Sequence, residues 1–472
     1  MDALATLIER LPEGAVSTHP GELSSRSRDA WALAMLREVP GERLPRPMAV
    51  VFPRSTEDVA TAVSWATETG VPLVPRGGGS GVCGGAQALW RGVVLDLSQM
   101  NRVLDIDEES LAVRVEAGIH GDRLESALSG RGLTLGHYPQ SSAISSVGGW
   151  IAAGSAGQAS AGYGAIEDMV LGMVAVLSDG RVLTLRAAPR SAAGPDLRRL
   201  LVGSEGTLAV VTEVTLGVSR TASALRWQVF GPPTFEDGIA LAREIVQQRL
   251  GPMVLRLYDE PDGAMTFGDI QHDGGPVLLV GFEQRPWLDP VLEALGEMTA
   301  AGGAAPLPAD YGRHWWDHRT DAVALYQRIM GEERMLGSGV VVDTMEVAGL
   351  WRDVPELYRA VRDALAEHSD RAVTCHLSHP YRSGASLYFT FLLHEEDDRK
   401  AEEAYLACWR DAAAACHGAG GTISHHHGIG LLKKAFLVDE LGPQGVGTLR
   451  AIKRVLDPAG VLNPGKLLPD AD

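Results

Sequence analysis

Three adjacent histidines, His425, His426 and His427, stand in the stretch TISHHHGIGLLKK near the end of the chain. The whole sequence holds only 14 histidines, so a run of three is unusual. Imidazole exchanges protons near neutral pH and also ligates metal ions. The run therefore raises three alternatives: a metal site, a catalytic loop, and chance.

Three loops of small residues form a second set of candidates. RGGGSG follows a predicted strand, so its backbone N–H groups can face one concavity and hold a phosphate. It matches neither a Walker loop nor the Rossmann fingerprint, and taken alone it also fits a glycine-rich turn. The stretches SSAISSVGG and GSEGTLAVVTE add two more such loops. Together the three loops favour a long ligand with a central diphosphate.

The pattern of predicted helices and strands changes near residue 220. Before it, PMAVVFP, STEDVATAVSWATETG and VPLVP predict a β-α-β unit, and MVAVLSDGRVLTL predicts a hairpin turning at Asp179-Gly180. After it, longer helices such as TFEDGIALAREIVQQRL alternate with strands such as PMVLRLYD and SLYFTFLL. This change predicts a second α+β domain.

Composition excludes several classes of protein. With 472 residues and 45% hydrophobic content, the chain is large enough for two or more packed units. The net charge of −18 argues against nucleic-acid binding, and no run approaches the roughly 20 apolar residues of a membrane helix. The four cysteines lack metal or disulfide spacing, and the acidic N-terminus lacks a targeting pattern. We therefore expect a cytoplasmic protein with at most peripheral membrane contact.

The stretches PRGGGSG, PQSSAISSVGGW, GSEGTLAVVTEV and DPAGVLNPGKLL resemble the PCMH-type FAD-binding half of the vanillyl-alcohol-oxidase superfamily. The resemblance implies an α+β fold in which both chain ends build a two-part FAD-binding domain around an inserted α+β cap with a ferredoxin-like sheet. The expected units are an N-terminal helical segment (1–45), an FAD-binding domain (46–220), a cap or substrate domain (221–420) and a C-terminal return that carries the histidine loop (421–472).

The same resemblance implies FAD as the cofactor and assigns the three loops to it. The first two loops are expected at the pyrophosphate and adenosine side, and the third along the flavin. The expected FAD-binding residues are Arg76, Gly77, Gly78, Gly79, Ser80, Gly81, Pro139, Ser141, Ser142, Ser145, Ser146, Gly148, Gly149, Glu205, Gly206, Thr207 and Val211. Some relatives attach FAD through a histidine beside the first loop. Ser80 and Gly81 stand there, so we expect FAD to be held non-covalently.

Within this superfamily, D-2-hydroxy-acid dehydrogenases bind a divalent metal through GHxGDGNxH and EHG motifs. This sequence has CHLSHPYRSGASLYFTF and SHHHG at those places. Tyr388 stands near the second histidine of the first motif, and Ser424 or His425 stands in place of the glutamate. We therefore expect no metal, although His376, His379 and the triple histidine could gather one.

The substituted pattern is similar to the alkyldihydroxyacetonephosphate synthase family. That resemblance implies an FAD-dependent enzyme that exchanges the acyl group of acyl-dihydroxyacetone phosphate for a fatty alcohol, through a flavin N5 adduct and without net redox change. Its histidine loop, strand tyrosine and cap arginine correspond here to His425, His426, His427, Tyr388 and Arg256. We expect these five residues to form the catalytic group.

His426 is expected to be the acid/base residue on the flavin side. If the loop is extended, His425 and His427 face one way and His426 the other. Tyr388 protonates the departing carboxylate, orients the substrate, or packs as a strand aromatic. Arg256, between two leucines, meets either a substrate anion or a carboxylate such as Asp259.

Weaker candidates surround this group. Lys433 and Lys434 either add positive potential to the site or, as we expect, form a solvated pair, and His137 lies beside the second loop. Trp315 and Trp316 either cover an apolar tunnel or pack in a core.

Two other functions remain open. One is an FAD-linked oxidase or dehydrogenase of a 2-hydroxy acid, of the D-lactate or glycolate type, or of another alcohol. The other is a flavin-binding protein without activity. In the catalytic cases the partner is a small or lipid-like substrate that can carry a phosphate, and the chain can form a homodimer.

Overall fold

The computed structural model describes residues 3–38, 44–270 and 274–470. The N-terminal part forms a four-stranded sheet in the order β1-β2-β4-β3, in which β2, β4 and β3 are parallel. Its strands are β1 Val16–Ser17, β2 Ala49–Val51, β3 Leu73–Arg76 and β4 Val93–Asp96. The helices of this part are α1 Ala3–Arg10, α2 Pro20–Ser25, α3 Ala32–Glu38 and α4 Thr56–Thr69.

The next part is a five-stranded antiparallel sheet in the order β5-β6-β10-β8-β9, with β7 and β11 paired beside it. The strands are β5 Val103–Asp107, β6 Ala112–Glu116, β7 Leu133–Thr134, β8 Val170–Val176, β9 Val182–Leu185, β10 Val210–Gly217 and β11 Ser219–Arg220. The helices are α5 Gly121–Ser129, α6 Val147–Ala153, α7 Ser160–Tyr163, α8 Ile166–Met169 and α9 Leu197–Leu201.

A seven-stranded antiparallel sheet follows, in the order β15-β12-β14-β13-β17-β18-β16. Its strands are β12 Leu225–Gly231, β13 Val254–Tyr258, β14 Val277–Glu283, β15 Ala305–Leu307, β16 Val340–Leu350, β17 Thr374–Pro380 and β18 Gly384–His394. Its helices are α10 Phe235–Gln247, α11 Glu260–Thr266, α12 Leu288–Ala301, α13 Asp310–His318, α14 Asp321–Met330, α15 Val354–Ala366 and α16 Asp398–Gly418.

The chain then returns to its first half. Helix α17, Leu437–Leu456, contains a break at Gly442, and Leu462 bridges to Leu73 on β3. The change from one set of sheets to the next falls between Arg220 and Leu225. The domain boundaries remain predictions, and parts of the N-terminal segment (1–2 and 39–43) lie outside the described residues.

Local signals predicted many elements correctly. Helix α4 begins after Ser55, whose side chain accepts a hydrogen bond from the Asp58 amide, and ends at Gly70 with φ of 69°. The hairpin β8–β9 pairs Val176 with Val182 around the predicted turn. The predicted α+β character is confirmed. In the described residues, no helix is both long and apolar enough to cross a bilayer.

Candidate active site

A cavity of about 360 Å³ separates the three glycine-containing loops from one face of the seven-stranded sheet. Most of the predicted site residues line it. They are Arg76 to Gly81, Pro139, Ser141, Ser145, Ser146, Gly148, Gly149, Glu205, Gly206, Val211, Arg256, Tyr388, His426 and His427. Ser142, Thr207 and His425 do not contribute to the lining.

The first two loops approach each other so closely that only glycine fits at their contact. A Cβ atom on Gly78 would lie 1.8 Å from the carbonyl oxygen of Ile144, and one on Gly77 would lie 2.0 Å from Ser146 Oγ. Real Cβ atoms never approach other atoms so closely. The glycines therefore allow the two loops to form one continuous wall of the cavity.

The first loop offers a run of unused donors. In the described residues, the backbone N–H groups of residues 77–81 have no hydrogen-bond acceptor within the protein. Successive free amides at a cavity wall form an anion-binding surface that suits a diphosphate. Beside them, Ser146 caps α6, its hydroxyl accepting a hydrogen bond from the Gly149 amide at 3.2 Å. These loops fit the diphosphate of FAD.

A row of polar side chains crosses four adjacent strands of the opposite wall. Tyr258 on β13 pairs with His376 on β17, His376 pairs with Tyr388 on β18, and Tyr388 pairs with Glu346 on β16. The next row, Leu257, Leu377, Leu387 and Val347, lies in the hydrophobic core on the other face. Because side chains alternate along a strand, the sheet buries its apolar face and turns this polar row toward the site.

The histidine loop is bent, so the extended loop on which the predicted alternation depended does not form. Residues 425–427 form a bend, His426 and His427 both line the cavity, and His425 lies behind them. His425 Nδ1 lies 2.9 Å from His426 Nδ1, and His425 Nε2 lies 2.7 Å from the Tyr381 hydroxyl. Alternation fails here because the loop has no strand partner to hold it extended.

The Glu346 carboxylate holds this bend, and the sequence did not identify it. Its Oε1 accepts hydrogen bonds from the amides of His426 (3.3 Å) and His427 (2.8 Å). Oε1 also accepts one from the Ser424 hydroxyl at 3.0 Å, and His427 Nδ1 lies 3.2 Å from Oε2. Burial raises the pKa of Glu346, but His427 and Lys433 outweigh burial and hold that pKa well below its usual range.

Lys433 is the cation that balances Glu346, and the expectation of a solvated pair was wrong for it. Its Nζ lies 2.7 Å from Glu346 Oε2, and both side chains are fully buried. Burial acts to lower the pKa of Lys433, but Glu346 raises it by more. The pKa is therefore above its usual value, and the ammonium stays charged. Lys434 instead pairs at the surface with Asp470. Nothing in the KK dipeptide distinguishes the two lysines, because their partners are remote in sequence.

Glu205 joins the histidine loop to the third glycine-containing loop. Its carboxylate accepts hydrogen bonds from the amides of Ile429 (2.5 Å) and Gly430 (2.9 Å). Burial raises the pKa of Glu205 to about 7, against the opposing effect of these two amides. Asn463 Nδ2 donates to the Glu205 carbonyl at 2.7 Å, so the C-terminal return is fixed to the same loop.

His425 and His426 are neutral at physiological pH. Burial, together with the neighbouring histidines, lowers the pKa of His426 well below its usual value, and burial lowers that of His425 to about 4. A neutral imidazole accepts a proton rather than donating one. His426 Nδ1 faces His425, and the described residues place no protein partner at Nε2. Nε2 is therefore the ring nitrogen of His426 that is left for a ligand in the cavity.

Arg256 is a buried cation without a carboxylate partner among the described residues. It is 5% exposed, donates to the Tyr258 hydroxyl at 3.3 Å and lies over the Trp315 ring at 5.0 Å. The alternative partner, Asp259, caps α11 and accepts from the Tyr358 hydroxyl instead. A buried charge is costly without a counter-charge, so an anionic ligand in the cavity would stabilise Arg256.

The structure defines the contacts of Tyr388 and of the weaker candidates His137 and Trp315. The Tyr388 hydroxyl donates to Thr344 Oγ1 at 3.0 Å, and burial raises its pKa, so it stays protonated. His137 is fully buried and does not line the cavity, but it bonds Ser155, which does, at 2.8 Å. Trp315 packs in an aromatic core with Trp227 rather than lining a tunnel.

Three histidines come close enough to be tested as metal ligands. Nitrogen atoms of His379, His425 and His426 lie within 4.8 Å of one another. His379, however, has protein partners at both nitrogens, the Gly157 carbonyl at 3.1 Å and the Ser378 hydroxyl at 2.8 Å. A ligating nitrogen must be free of such a partner. The expectation of no metal stays a prediction.

Two family models match the chain. One, described as an FAD binding domain, covers residues 47–186, and the other, the C-terminal domain of FAD linked oxidases, covers residues 221–467. The chain belongs to the FAD-linked oxidase family. It is therefore an enzyme with FAD as its cofactor, as the loop motifs predicted.

Individual members of the FAD-linked oxidase family are similar over most of the chain. The uncharacterized FAD-linked oxidoreductase YgcU of Escherichia coli (strain K12) is 33% identical over 90% of both chains. The alkyldihydroxyacetonephosphate synthase of Caenorhabditis elegans is 30% identical, over 90% of this chain and 77% of the relative. The glycolate oxidase subunit GlcD of Bacillus subtilis is 28% identical over 89% of both chains.

A solved alkyldihydroxyacetonephosphate synthase structure superposes with a TM-score of 0.79. The two sequences are 23% identical, and the superposition covers 98% of this chain and 85% of the synthase chain. This likeness confirms the predicted two-domain fold and leaves the reaction to be argued from the site.

Proposed function

We propose that this enzyme exchanges the acyl group of acyl-dihydroxyacetone phosphate for a fatty alcohol, without net oxidation or reduction. The carbon–oxygen bond to the acyloxy group breaks, the alcohol oxygen bonds to the same carbon, and the alcohol proton ends on the released fatty acid. Bound FAD supplies the reactive ring system of the site. The observation that carries the proposal is the placement of a counter-ion-free Arg256 and a neutral His426 in one cavity.

Arg256 fits the phosphate of such a substrate. A guanidinium gives two parallel donors to a phosphate, which fixes the orientation of the molecule as well as its position. The Arg256 charge then finds its missing partner only when substrate is bound. We therefore assign Arg256 to substrate binding.

His426 fits the proton transfer at carbon that the exchange requires. Its neutral imidazole takes the proton from the substrate carbon and returns it after the exchange. Glu346 fixes the backbone of the loop, so the imidazole does not depend on a flexible segment for its position. Tyr388, beside it with ring centroids 6.0 Å apart, is positioned to orient the departing carboxylate.

The cavity also has an apolar wall suited to an alkyl chain. Ala322, Val323 and Tyr326 of α14, a helix that packs against β16, line it. An enclosed apolar wall excludes water, which would otherwise compete with the alcohol for the same carbon.

The test is to incubate the holoenzyme with palmitoyl-dihydroxyacetone phosphate and hexadecanol and to measure palmitate and ether product by mass spectrometry. We expect both products in equal amounts, and neither from His426→Ala. His394→Ala is the matched control, because His394 lies at the exposed end of the same strand as Tyr388. Absence of both products from the wild-type enzyme would reject the proposal.

A 2-hydroxy acid is the second candidate substrate. Arg256 binds a carboxylate as readily as a phosphate, and a neutral histidine can take the hydroxyl proton of such an acid. Reduction of the flavin by D-lactate or glycolate under anaerobic conditions would favour this alternative.

A further inference from the structure

His376 is a second histidine of the cavity that the proposed exchange has not yet used. It lies on β17 in the polar row and lines the cavity. Its ring lies between those of Tyr258 and Tyr388, with centroids 5.2 and 5.0 Å away. The Tyr388 ring in turn contacts the His426 ring. One cavity thus holds two histidines, one near each side of the same tyrosine.

A buried carboxylate fixes the orientation of His376. Its Nδ1 lies 2.7 Å from Asp262 Oδ2 on α11, and Asp262 is 3% exposed. Asp262 Oδ1 accepts a second hydrogen bond from Thr266 at 3.1 Å. An ionised carboxylate can only accept, so Nδ1 carries the hydrogen and Nε2 carries the lone pair. In the described residues, no protein group bonds to Nε2.

The surroundings keep His376 uncharged. Burial lowers its pKa, and the Arg256 charge acts in the same direction, while Asp262 opposes both. The other titratable groups around the ring are Tyr258, Tyr388 and His379, and none of them supplies an anion at neutral pH. The result is a neutral base of fixed tautomer, the arrangement that a carboxylate–histidine pair gives to general-base catalysis.

The exchange requires two separate proton transfers. His426 accounts for the proton on carbon, but the incoming alcohol must also lose its hydroxyl proton as its oxygen bonds to that carbon. We propose that His376 Nε2 is the base that accepts this hydroxyl proton and that Asp262 is the positioning residue that fixes its tautomer. The C–O bond to the acyloxy group breaks with its electron pair leaving on the carboxylate, an electron pair of the alcohol oxygen forms the new C–O bond to the same carbon, and the O–H proton passes to His376. His376 then releases that proton, which balances the charge of the carboxylate already released.

This inference rests on the proposed function, and the two can fail separately. Palmitate release, measured without hexadecanol, reports the loss of the acyl group, and ether formation reports the entry of the alcohol. We expect His376→Gln and Asp262→Asn to leave palmitate release within a few-fold of wild type and to slow ether formation by about 100-fold or more. If the wild-type enzyme forms no ether at all, the proposed function fails and this role fails with it.

A more acidic alcohol separates general-base catalysis from a structural role. With 2,2-difluorohexadecanol the hydroxyl proton leaves more readily, so the defect of His376→Gln should shrink. A defect of equal size with both alcohols, or an equal loss of palmitate release and ether formation, would show that the pair only supports the fold.

The tautomer of His376 can be measured by a method that does not depend on enzyme activity. In ¹⁵N-histidine NMR of the holoenzyme, we expect His376 as the Nδ1–H form in the wild type and as a mixture in Asp262→Asn. Asp411→Asn is the matched control, because His368 and Asp411 form a similar pair at 2.9 Å outside the cavity. An unchanged His376 tautomer in Asp262→Asn would overturn the assignment of Asp262.

Discussion

At the scale of the residue, the site depends on charges that balance far from one another in sequence. Glu346 and Lys433 neutralise each other beneath the histidine loop, whereas Arg256 has no carboxylate partner in the described residues. Because a buried charge without a counter-charge is costly, Arg256 favours a ligand that supplies the missing negative charge. We therefore propose that the ligand is an anion.

Replacement of Arg256 tests this inference. Removing one partner of a buried charge pair costs about 2–5 kcal/mol, so Arg256→Gln should raise the KM of the anionic substrate at least about 30-fold. Arg319→Gln is the control, because Arg319 also stacks on a tryptophan, 4.0 Å from the Trp316 ring, but does not line the cavity. An unchanged KM in Arg256→Gln would show that the substrate anion binds elsewhere.

The residues that sequence reasoning found and missed differ in how local their signals are. His426, Tyr388 and Arg256 stood in recognisable motifs, and the structure brings all three to one cavity. Nothing in its local sequence distinguishes Glu346 from other glutamates in strands. Its partners, the histidine loop and Lys433, follow about 80 residues later. Its function depends on a contact between distant segments, which a single sequence does not show.

At the scale of the element, the glycine-containing loops and the histidine loop form one assembly. Loops one and two are in backbone contact at Gly78, and Glu205 of the third loop binds the amides of the histidine loop. The local elements around them could be predicted from periodicity and capping, as helix α4 shows. The docking of one loop on another could not, because it depends on the packing of remote elements.

A methyl group at Gly78 should remove the cofactor. Its Cβ would lie 1.8 Å from the backbone oxygen of Ile144, so the loops must separate. We expect Gly78→Ala to be purified with little FAD, as measured by the flavin absorbance per protein. Gly296→Ala, in helix α12 with open space around it, should keep its full FAD content. Full FAD content in Gly78→Ala would contradict the role of the close contact.

The contact of Glu205 with the histidine loop should give the enzyme a pH-dependent stability. Its folded-state pKa of about 7 lies above the unfolded value of about 4.3, so the folded state holds the proton more tightly. The contribution of Glu205 to the free energy of unfolding is therefore present in full below the unfolded-state pKa and is lost as pH rises through about 7.

The midpoint of thermal unfolding between pH 5 and pH 8 measures this effect. We expect the wild-type midpoint to fall with rising pH more steeply than that of Glu205→Gln, with a difference of up to about 3 kcal/mol in free energy. Glu213→Gln, on the surface side of β10, should retain the wild-type slope. Equal slopes in the wild type and Glu205→Gln would contradict the raised pKa.

At the scale of the whole molecule, the N-terminal segment connects the two halves. Leu7 of α1 packs in the core beneath the first sheet, while Trp31 and α3 pack in the core of the seven-stranded sheet. Trp31 Nε1 donates to the Tyr405 hydroxyl of α16 at 3.1 Å. The cavity between the halves is therefore held together in part by a segment that contributes no predicted site residue, although its Asp29 and Ala30 line the cavity.

Truncation of Trp31 should loosen this connection. Loss of a buried tryptophan costs about 3–5 kcal/mol, so Trp31→Ala should lower the midpoint of thermal unfolding markedly. Trp90→Ala is the control, because Trp90 is 57% exposed and its removal leaves no cavity. Equal midpoints for the two variants would show that α3 is not part of the core of the cap.

The measurement that tests the central claim most directly is anaerobic mixing of the FAD-loaded enzyme with palmitoyl-dihydroxyacetone phosphate and hexadecanol, followed by absorbance of the flavin. We predict repeated turnovers with palmitate and ether as products and no accumulated reduced flavin at the end. Lasting loss of the oxidised-flavin band with a D-2-hydroxy acid, reversed by air, together with no palmitate release, would contradict the exchange and identify an oxidase or dehydrogenase instead.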